Sequence, residues 1–196
     1  MMPDSSDSAP VLDTDKIIAT LNEYGVEYII VGGIGAQIHG AERITTDFDY
    51  VIKSADQNLD HVVNAMKELG AFMRVDKVSD YVARDFKFDM RWMIASQDVT
   101  TWRTTAGDID IMRTIPNEAG ERLTYDALIP NADERTQESV HIWVAGLDDI
   151  IASKQFANRQ KDRDALPELI GLRHSKLMPL DIPPEPESEE QSELDF

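Results

Sequence analysis

The 196-residue chain is 42% hydrophobic and has no cysteine, which suits one ordinary globular domain and excludes disulfides and thiolate metal sites. No apolar run approaches membrane-spanning length, and the opening "MMPDSSDSAP" lacks the regions of a signal peptide, so the expected setting is cytoplasmic, with no membrane partner. The formal charge of −18 looks hostile to nucleic acid, yet it is unevenly spread along the chain.

Residues 1–12 are small, polar and proline-containing, and read as a disordered arm. A domain over 13–176 follows. Thr14 is placed to cap a helix from Asp15 to Tyr24 with Ile17, Ile18 and Leu21 on one face, and Gly25 to end it. "VEYIIV" (26–31) is β-branched and aromatic, a buried strand running into Gly32-Gly33. A short helix over 34–40 comes next, then a strand "DFDYVI" (47–52) and an amphipathic helix "NLDHVVNAMKEL" (58–69) ending at Gly70. "FKFDMRWMI" (86–94) and "GDIDIM" (107–112) alternate like strands, and "VHIWVA" (140–145) reads as the last one. Two helices, 147–158 and 161–174, close the domain, with Pro167 interrupting the second. The end, "MPLDIPPEPESEEQSELDF", joins prolines to an acidic run and reads as a solvated tail over 177–196. The expected class is α/β (α+β): a mixed sheet with flanking helices and a C-terminal helical segment.

Strand side chains alternate faces, so Asp47 and Asp49 point the same way and Phe48 points into the opposite layer. Two carboxylates on one face beside a glycine-bearing loop make a hard-oxygen site that suits Mg²⁺, which takes one or two carboxylates plus substrate phosphates. A strand, "GGIG", then a helix lets backbone N–H groups approach a phosphate closely, although there is no Walker lysine and no full Rossmann spacing. "TAGDIDIM" offers a third acid: Asp110, flanked by Ile109 and Ile111, needs a partner, whereas Asp108 at the strand's mouth is open to a merely exposed role.

The charge distribution supplies cations. The last sixteen residues carry seven acids and no base, and Asp4, Asp7, Asp13 and Asp15 precede the first lysine, which leaves 26 of the 37 acids against all 19 bases. Residues 150–176 hold Lys154, Arg159, Lys161, Arg163, Arg173 and Lys176 against Asp162, Asp164 and Glu168, so a basic surface and an RNA substrate stay open. Lys154 lies in an otherwise apolar helix, with Arg159 and Asp162 at spacings that can share its face, and a lysine aimed at phosphate would offset charge building on a leaving pyrophosphate. Each part has a plainer reading. An isolated D-x-D is more often an Asx turn plus a surface acid, Lys154 and Arg159 suit a solvated helix face, His39 a packing role, and Trp92, Trp102 and Trp143 the core. Order and spacing together favour the site.

The stretch "VGGIGAQIHGAERITTDFDYVI" resembles the opening motif of the nucleotidyltransferase superfamily: GG, then a helix, then R-x-T-x-D-x-D. "TTAGDIDIM" resembles the strand bearing that family's third acid, and "LDDIIASKQFANRQKDRDALPEL" its closing L-x-D-L-I-x-x-K…R-x-K-D segment. Within the superfamily the resemblance is to the AbiEii-like toxins, including the MenT toxins of mycobacteria, and it spans residues 26–170. It implies a nucleotidyltransferase fold like the palm of DNA polymerase β, with Asp47 and Asp49 bridging two Mg²⁺ ions and Asp110 holding the ion that activates the acceptor hydroxyl. Gly32 and Gly33 would back the triphosphate and Lys154 would contact it, while Arg43, Arg159 and Asp162 also fall on family positions near the nucleotide. Many relatives carry serine where this chain has Gly33.

The implied reaction is attack of an acceptor hydroxyl on the α-phosphate of an NTP, CTP or UTP by preference. The implied acceptor is the tRNA 3′ end, whose extension blocks translation, and the implied partner is a cognate antitoxin protein. The alternatives are a protein hydroxyl, an aminoglycoside-like molecule, or a silent partner-binding module. An acidic cleft beyond the three acids would suit a cationic drug, and a basic one would suit RNA.

Overall fold

The computed structural model describes residues 10–137 and 140–177. The acidic tail after residue 177, and the expected arm except for residues 10–12, lie outside the described residues. In chain order the elements are α1 (Thr14–Glu23), β1 (Tyr28–Ile30), α2 (Gly32–Ile38), β2 (Asp47–Ile52), α3 (Asp56–Glu68), β3 (Phe72–Met73), α4 (Asp80–Ala83), α5 (Met90–Ser96), β4 (Val99–Thr104) and β5 (Gly107–Met112). There follow β6 (Thr114–Pro116), β7 (Arg122–Thr124), α6 (Tyr125–Leu128), a 3₁₀ turn (Ile129–Asn131), β8 (Asp133–Gln137), β9 (Val140–Val144), α7 (Leu147–Ala157) and α8 (Gln160–Leu177).

Seven strands form one mixed sheet in the order β3-β4-β5-β2-β1-β9-β8, and β6 and β7 make a separate hairpin. The pairs β2/β5 and β1/β9 are parallel, and every other neighbour in the sheet is antiparallel. Period-2 alternation divides the apolar residues of β2 and β5 between the two faces. Phe48, Tyr50, Ile52, Ile109 and Ile111 pack with Ile17 and Leu21 of α1, Val62 and Met66 of α3 and Ile94 of α5. Val51 faces the other way, with Ile29 of β1, Ile150 and Ile151 of α7 and Leu169 of α8. Asp47, Asp49 and Asp110 share that second face, at the end of the strands where this smaller cluster stops. No helix among the described residues is long and apolar enough to cross a membrane.

Several local expectations change. The cap of α1 is Asp13, whose carboxylate accepts the Lys16 N–H at 3.0 Å, rather than Thr14. The helix expected over 34–40 begins two residues earlier, at the glycines themselves. The strand expected over 86–94 is instead a loop and the helix α5, because Asp89 accepts the Trp92 N–H at 3.0 Å and so starts a helix. Trp92 is exposed rather than core, while Trp102 is buried. The run from Val99 to Thr104, unassigned in the sequence reading, is the hairpin partner of β5. The polar strand β8 pairs with β9 at the sheet edge, and nothing in its composition announces a strand. Pro167 is accommodated inside α8, which extends to Leu177.

Phe48 is wholly buried between two metal-ligand candidates, so its packing sets the pitch of β2. The Phe48→Ala variant is expected to lose about 3–5 kcal/mol of stability, read as a lower urea midpoint with an unchanged denaturant slope.

Candidate active site

The site begins with strand register. Parallel pairing of β2 with β5 sets Asp47 beside Asp108 and Asp49 beside Asp110. All four carboxylates lie on one face, but they divide into two environments. Asp108 is claimed by arginines: Arg103 Nε and Nη2 donate to it at 2.8 and 3.1 Å, and Arg74 Nη1 lies 3.2 Å away. It is therefore a buried structural anion, not an exposed one. Asp47, Asp49 and Asp110 have no such partner and offer oxygens within 4.8 Å of one another.

Burial and mutual repulsion set the protonation of this trio. The Asp49 carboxyl is pushed up to about 7, chiefly by desolvation and then by the charges of Asp47 and Asp110. Asp110 rises to about 6, again by desolvation first and Asp47 second. Asp110 Oδ1 is buried without a hydrogen-bond partner, a costly state for a carboxylate oxygen. Thr45 Oγ1 donates to Asp47 Oδ1 at 2.7 Å and fixes that side chain. Three hard oxygen donors, one of them orphaned, fit a divalent cation that would neutralise them.

The two glycines have a steric reason to be glycine. A Cβ on Gly32 would lie 1.9 Å from Asp49 Oδ2, and the residue sits at φ +62°. A Cβ on Gly33 would lie 2.5 Å from Thr45 Oγ1. The GG pair thus makes room for the acid it precedes, in addition to any contact with a ligand.

Cations close the other side. Asn158, in the left-handed region at φ 47°, ends α7 and lets α8 start in a new direction. Lys154, Arg159 and Asp162 converge because of this break, not because they share one helix face. Asp162 is fully buried at the third position of α8, and it accepts the Arg159 backbone N–H at 3.2 Å and its Nε at 2.6 Å. Burial works to raise the Asp162 carboxyl, but the bonds and charge of Arg159, with Lys154, outweigh it and hold it low. Lys154 Nζ lies 3.8 Å from Asp162 Oδ1. Burial lowers the Lys154 ammonium, opposed by Asp162 and Asp49.

All nine residues expected at the site, from Gly32 to Asp162, line one cavity of about 260 Å³. Arg43 and Arg159 stand at its exposed rim. Lys161, one of the bases of residues 150–176, is not among the nine expected site residues. Lys161 also lines the cavity, and its charge works to lower both Asp49 and Asp110. Its seven-residue spacing from Lys154 would share one face of a continuous helix, but the break at Asn158 places it in the cavity from α8 instead.

No family model matches the sequence, and neither does any curated protein. Solved structures do match. One is the lincosamide antibiotic adenylyltransferase LnuA with lincomycin bound, at 14% identity and TM-score 0.51 over 83% of this chain and 99% of that one. Another is the antibiotic-resistance factor ANT(2'')-Ia, at 15% identity and TM-score 0.50 over 84% of this chain and 82% of that one. The chain has the nucleotidyltransferase fold. In that fold the carboxylate trio lies on the central parallel pair, with α7 and α8 carrying the cations across from it.

The raised carboxyls make the metal-free fold pH-sensitive. Folded Asp49 keeps its proton up to about 7, whereas the unfolded group releases it near 3.8, so the metal-free fold loses stability as pH rises through that window. A bound cation displaces the proton and reverses the penalty. At about pH 8, Mg²⁺ is expected to raise the melting temperature, with a smaller effect near pH 5. Metal-free Asp49→Asn is expected to melt above metal-free wild type at the higher pH and to ignore Mg²⁺. A wild-type melting temperature indifferent to Mg²⁺ at both pH values would sink the cation site.

Proposed function

We propose that the protein is a nucleotidyltransferase that moves a nucleotide from an NTP to the 3′ end of tRNA. On this reading it is the toxin of a toxin–antitoxin pair, related to the AbiEii-like group, and is restrained by a cognate antitoxin. One observation carries the catalytic part: the oxygens of Asp47, Asp49 and Asp110 converge within 4.8 Å in a cavity that Lys154 and Lys161 also line. Negative donors for cations opposite fixed positive charge are what transfer from a triphosphate requires.

In the reaction, the acceptor hydroxyl oxygen bonds to the α-phosphorus, the bond from that phosphorus to its bridging oxygen breaks, and pyrophosphate leaves. Asp47, Asp49 and Asp110 would hold Mg²⁺, two ions in the proposed arrangement, which when bound polarise the phosphate and the acceptor hydroxyl. Thr45 keeps the Asp47 carboxylate from rotating away. Asp110, whose Oδ1 is buried without a hydrogen-bond partner, would hold the ion that activates the acceptor hydroxyl, by resemblance to the AbiEii-like group. Lys154 and Lys161 face the triphosphate and take up the charge that builds on pyrophosphate, while Asp162 holds Lys154 and Arg159 in register. Gly32 and Gly33, which line the cavity, would back the triphosphate, by resemblance to the same group. CTP or UTP is the proposed donor, by resemblance to the toxin group.

A second reading, transfer to a small-molecule hydroxyl, is favoured by the named activity of LnuA, an antibiotic adenylyltransferase. The charge of the cavity weighs against a cationic drug. Beyond the carboxylate trio it presents Arg43, Lys154, Arg159 and Lys161 against Asp162 and Glu168. Both of those acids are engaged, Asp162 by Arg159 and Glu168 by the Glu42 N–H at 2.6 Å. A basic cavity suits an acceptor that brings its own phosphates.

The decisive experiment incubates the protein with Mg²⁺, total tRNA and each of the four NTPs labelled at the α-phosphate. Label on tRNA is expected with wild type and not with Asp47→Ala, and Lys154→Ala is expected to slow transfer by about 100-fold or more. Label on the protein itself, or on an added aminoglycoside or lincosamide but not on tRNA, would overturn the tRNA assignment.

A further inference from the structure

The cavity has two ends of different chemistry. At one, the carboxylate trio meets Lys154, Lys161 and Asp162. The other is set by the way the chain folds back after α2. The Ala41 N–H donates to the Ala36 carbonyl at 3.0 Å, and Gln37 Nε2 donates to the Arg43 carbonyl at 2.9 Å. Thr45 lies against Gly33, so residues 41–45 run back along α2 towards Asp47. Across from them stands the second half of α8, where Glu168 Oε1 accepts the Glu42 N–H at 2.6 Å. Glu168 and Leu169 line the cavity six and seven residues beyond Asp162, so it extends about 9 Å along α8 from the cations.

This far end is walled mainly by apolar side chains. Ala36, Ala41, Ala165 and Leu169 line it from α2, the returning segment and α8. Ile44 lines the same cavity at its mouth and is 86% exposed, so its side chain is available to cover the face of a flat ring lying inside. Small and aliphatic walls with a few placed polar groups are the usual setting for the apolar part of a ligand.

Glu168 is the anomaly. A triphosphate repels a carboxylate, yet this half-buried one lines the cavity and pairs with no cation among the described residues. Its Oε1 is satisfied by the Glu42 N–H, whereas Oε2 accepts no hydrogen bond among the described residues. A carboxylate only accepts, and a nucleoside triphosphate offers it two kinds of donor, ribose hydroxyls and the N–H groups of the base. The ribose adjoins the α-phosphate and therefore the carboxylate trio. The base lies farther off, and its apolar faces match the walls around Glu168.

We infer that this end of the cavity is the nucleobase subsite, with Glu168 reading an exocyclic amino group and Ile44 covering the ring. The inference rests on the reading of the protein as a nucleotidyltransferase with a pyrimidine donor, and between the two pyrimidines it selects CTP. Cytosine N4 donates to Glu168 Oε2, whereas uracil presents its O4 at the same place and sets two acceptors against each other. Glu168 Oε1 keeps the Glu42 N–H in both cases, which holds the segment bearing Ile44 to α8.

The test measures equilibrium binding of the full chain, with Mg²⁺ and no acceptor, to CTP, UTP, ATP and dCTP. Each is used as the analogue with a methylene between the α- and β-phosphorus, which cannot be cleaved there. Wild type is expected to bind the CTP analogue about tenfold or more tighter than the UTP analogue. Glu168→Gln keeps an oxygen for the Glu42 N–H and turns an amide donor towards the base. In that variant CTP is expected to weaken and UTP to tighten until the preference reverses, whereas a residue that only braced the segment would move both alike. Ile44→Ser is expected to weaken both by about fivefold. Equal wild-type affinity for CTP and UTP, or a CTP preference that Glu168→Gln leaves intact, would overturn the base contact. A CTP preference over dCTP lost in Glu168→Gln, with no preference over UTP, would overturn it in favour of a ribose contact. Unaltered binding in Ile44→Ser would overturn the placing of the base at this end. Tighter binding of ATP than of CTP, with the preference over UTP again lost in Glu168→Gln, keeps the amino contact and removes the pyrimidine donor. Absence of labelled transfer to tRNA beside an intact CTP preference removes the tRNA acceptor alone, and absence of binding by any of the nucleotides removes both readings.

Discussion

Three carboxylates that repel one another sit at the edge of a hydrophobic sheet, and much of the surrounding structure follows from holding them there. Parallel pairing of β2 with β5 forces Asp49 beside Asp110, and the core beneath them, built from Phe48, Tyr50, Ile109 and Ile111, prevents the strands from slipping to relieve the repulsion. Desolvation then raises the Asp49 and Asp110 carboxyls toward neutrality. A fold that keeps such a cluster is poised for a cation, because only positive charge from outside the sheet satisfies all three at once.

The neighbouring residues divide the work between making room and supplying charge. Gly32 is absent of side chain where Asp49 needs space, and Gly33 where Thr45 does. The left-handed turn at Asn158 splits what would be one long helix, so that α8 presents Lys161 and the buried Asp162 to the same cavity that Lys154 enters from α7. Asp108 marks the boundary of the site. It lies on the same strand face as Asp110, but Arg103 and Arg74 neutralise it, so a second pair of D-x-D acids yields one ligand and one anchor.

That anchor gives the molecule a sidedness. The flank of α7 and α8 gathers cations against the cavity, while the flank of β4 and β3 ties down α4 through Asp80 and Arg103. The net charge of −18 does not describe the cavity itself, which Arg43, Lys154, Arg159 and Lys161 line beside the carboxylate trio.

The sequence by itself determined the order of the central elements and the identity of the acids. A β-branched run before GG, an alternating D-x-D strand and a second one at Asp108 and Asp110 specify buried strands with acids on one face, because period-2 alternation leaves a carboxylate no other side to occupy. It also located Lys154, the one cation in an apolar helix. Only tertiary structure decided which of Asp108 and Asp110 was free, since that turns on arginines 34 and 5 residues from Asp108 in the chain, brought there by the pairing of β3, β4 and β5. Local alternation also misled at 86–94, where a single side-chain cap from Asp89 outweighed a strand-like pattern and turned Trp92 outward. The direction from which Lys161 enters the cavity was set by the left-handed turn at Asn158, and the strand nature of β8 by the edge it pairs with, a fact about its partner that no window of sequence contains.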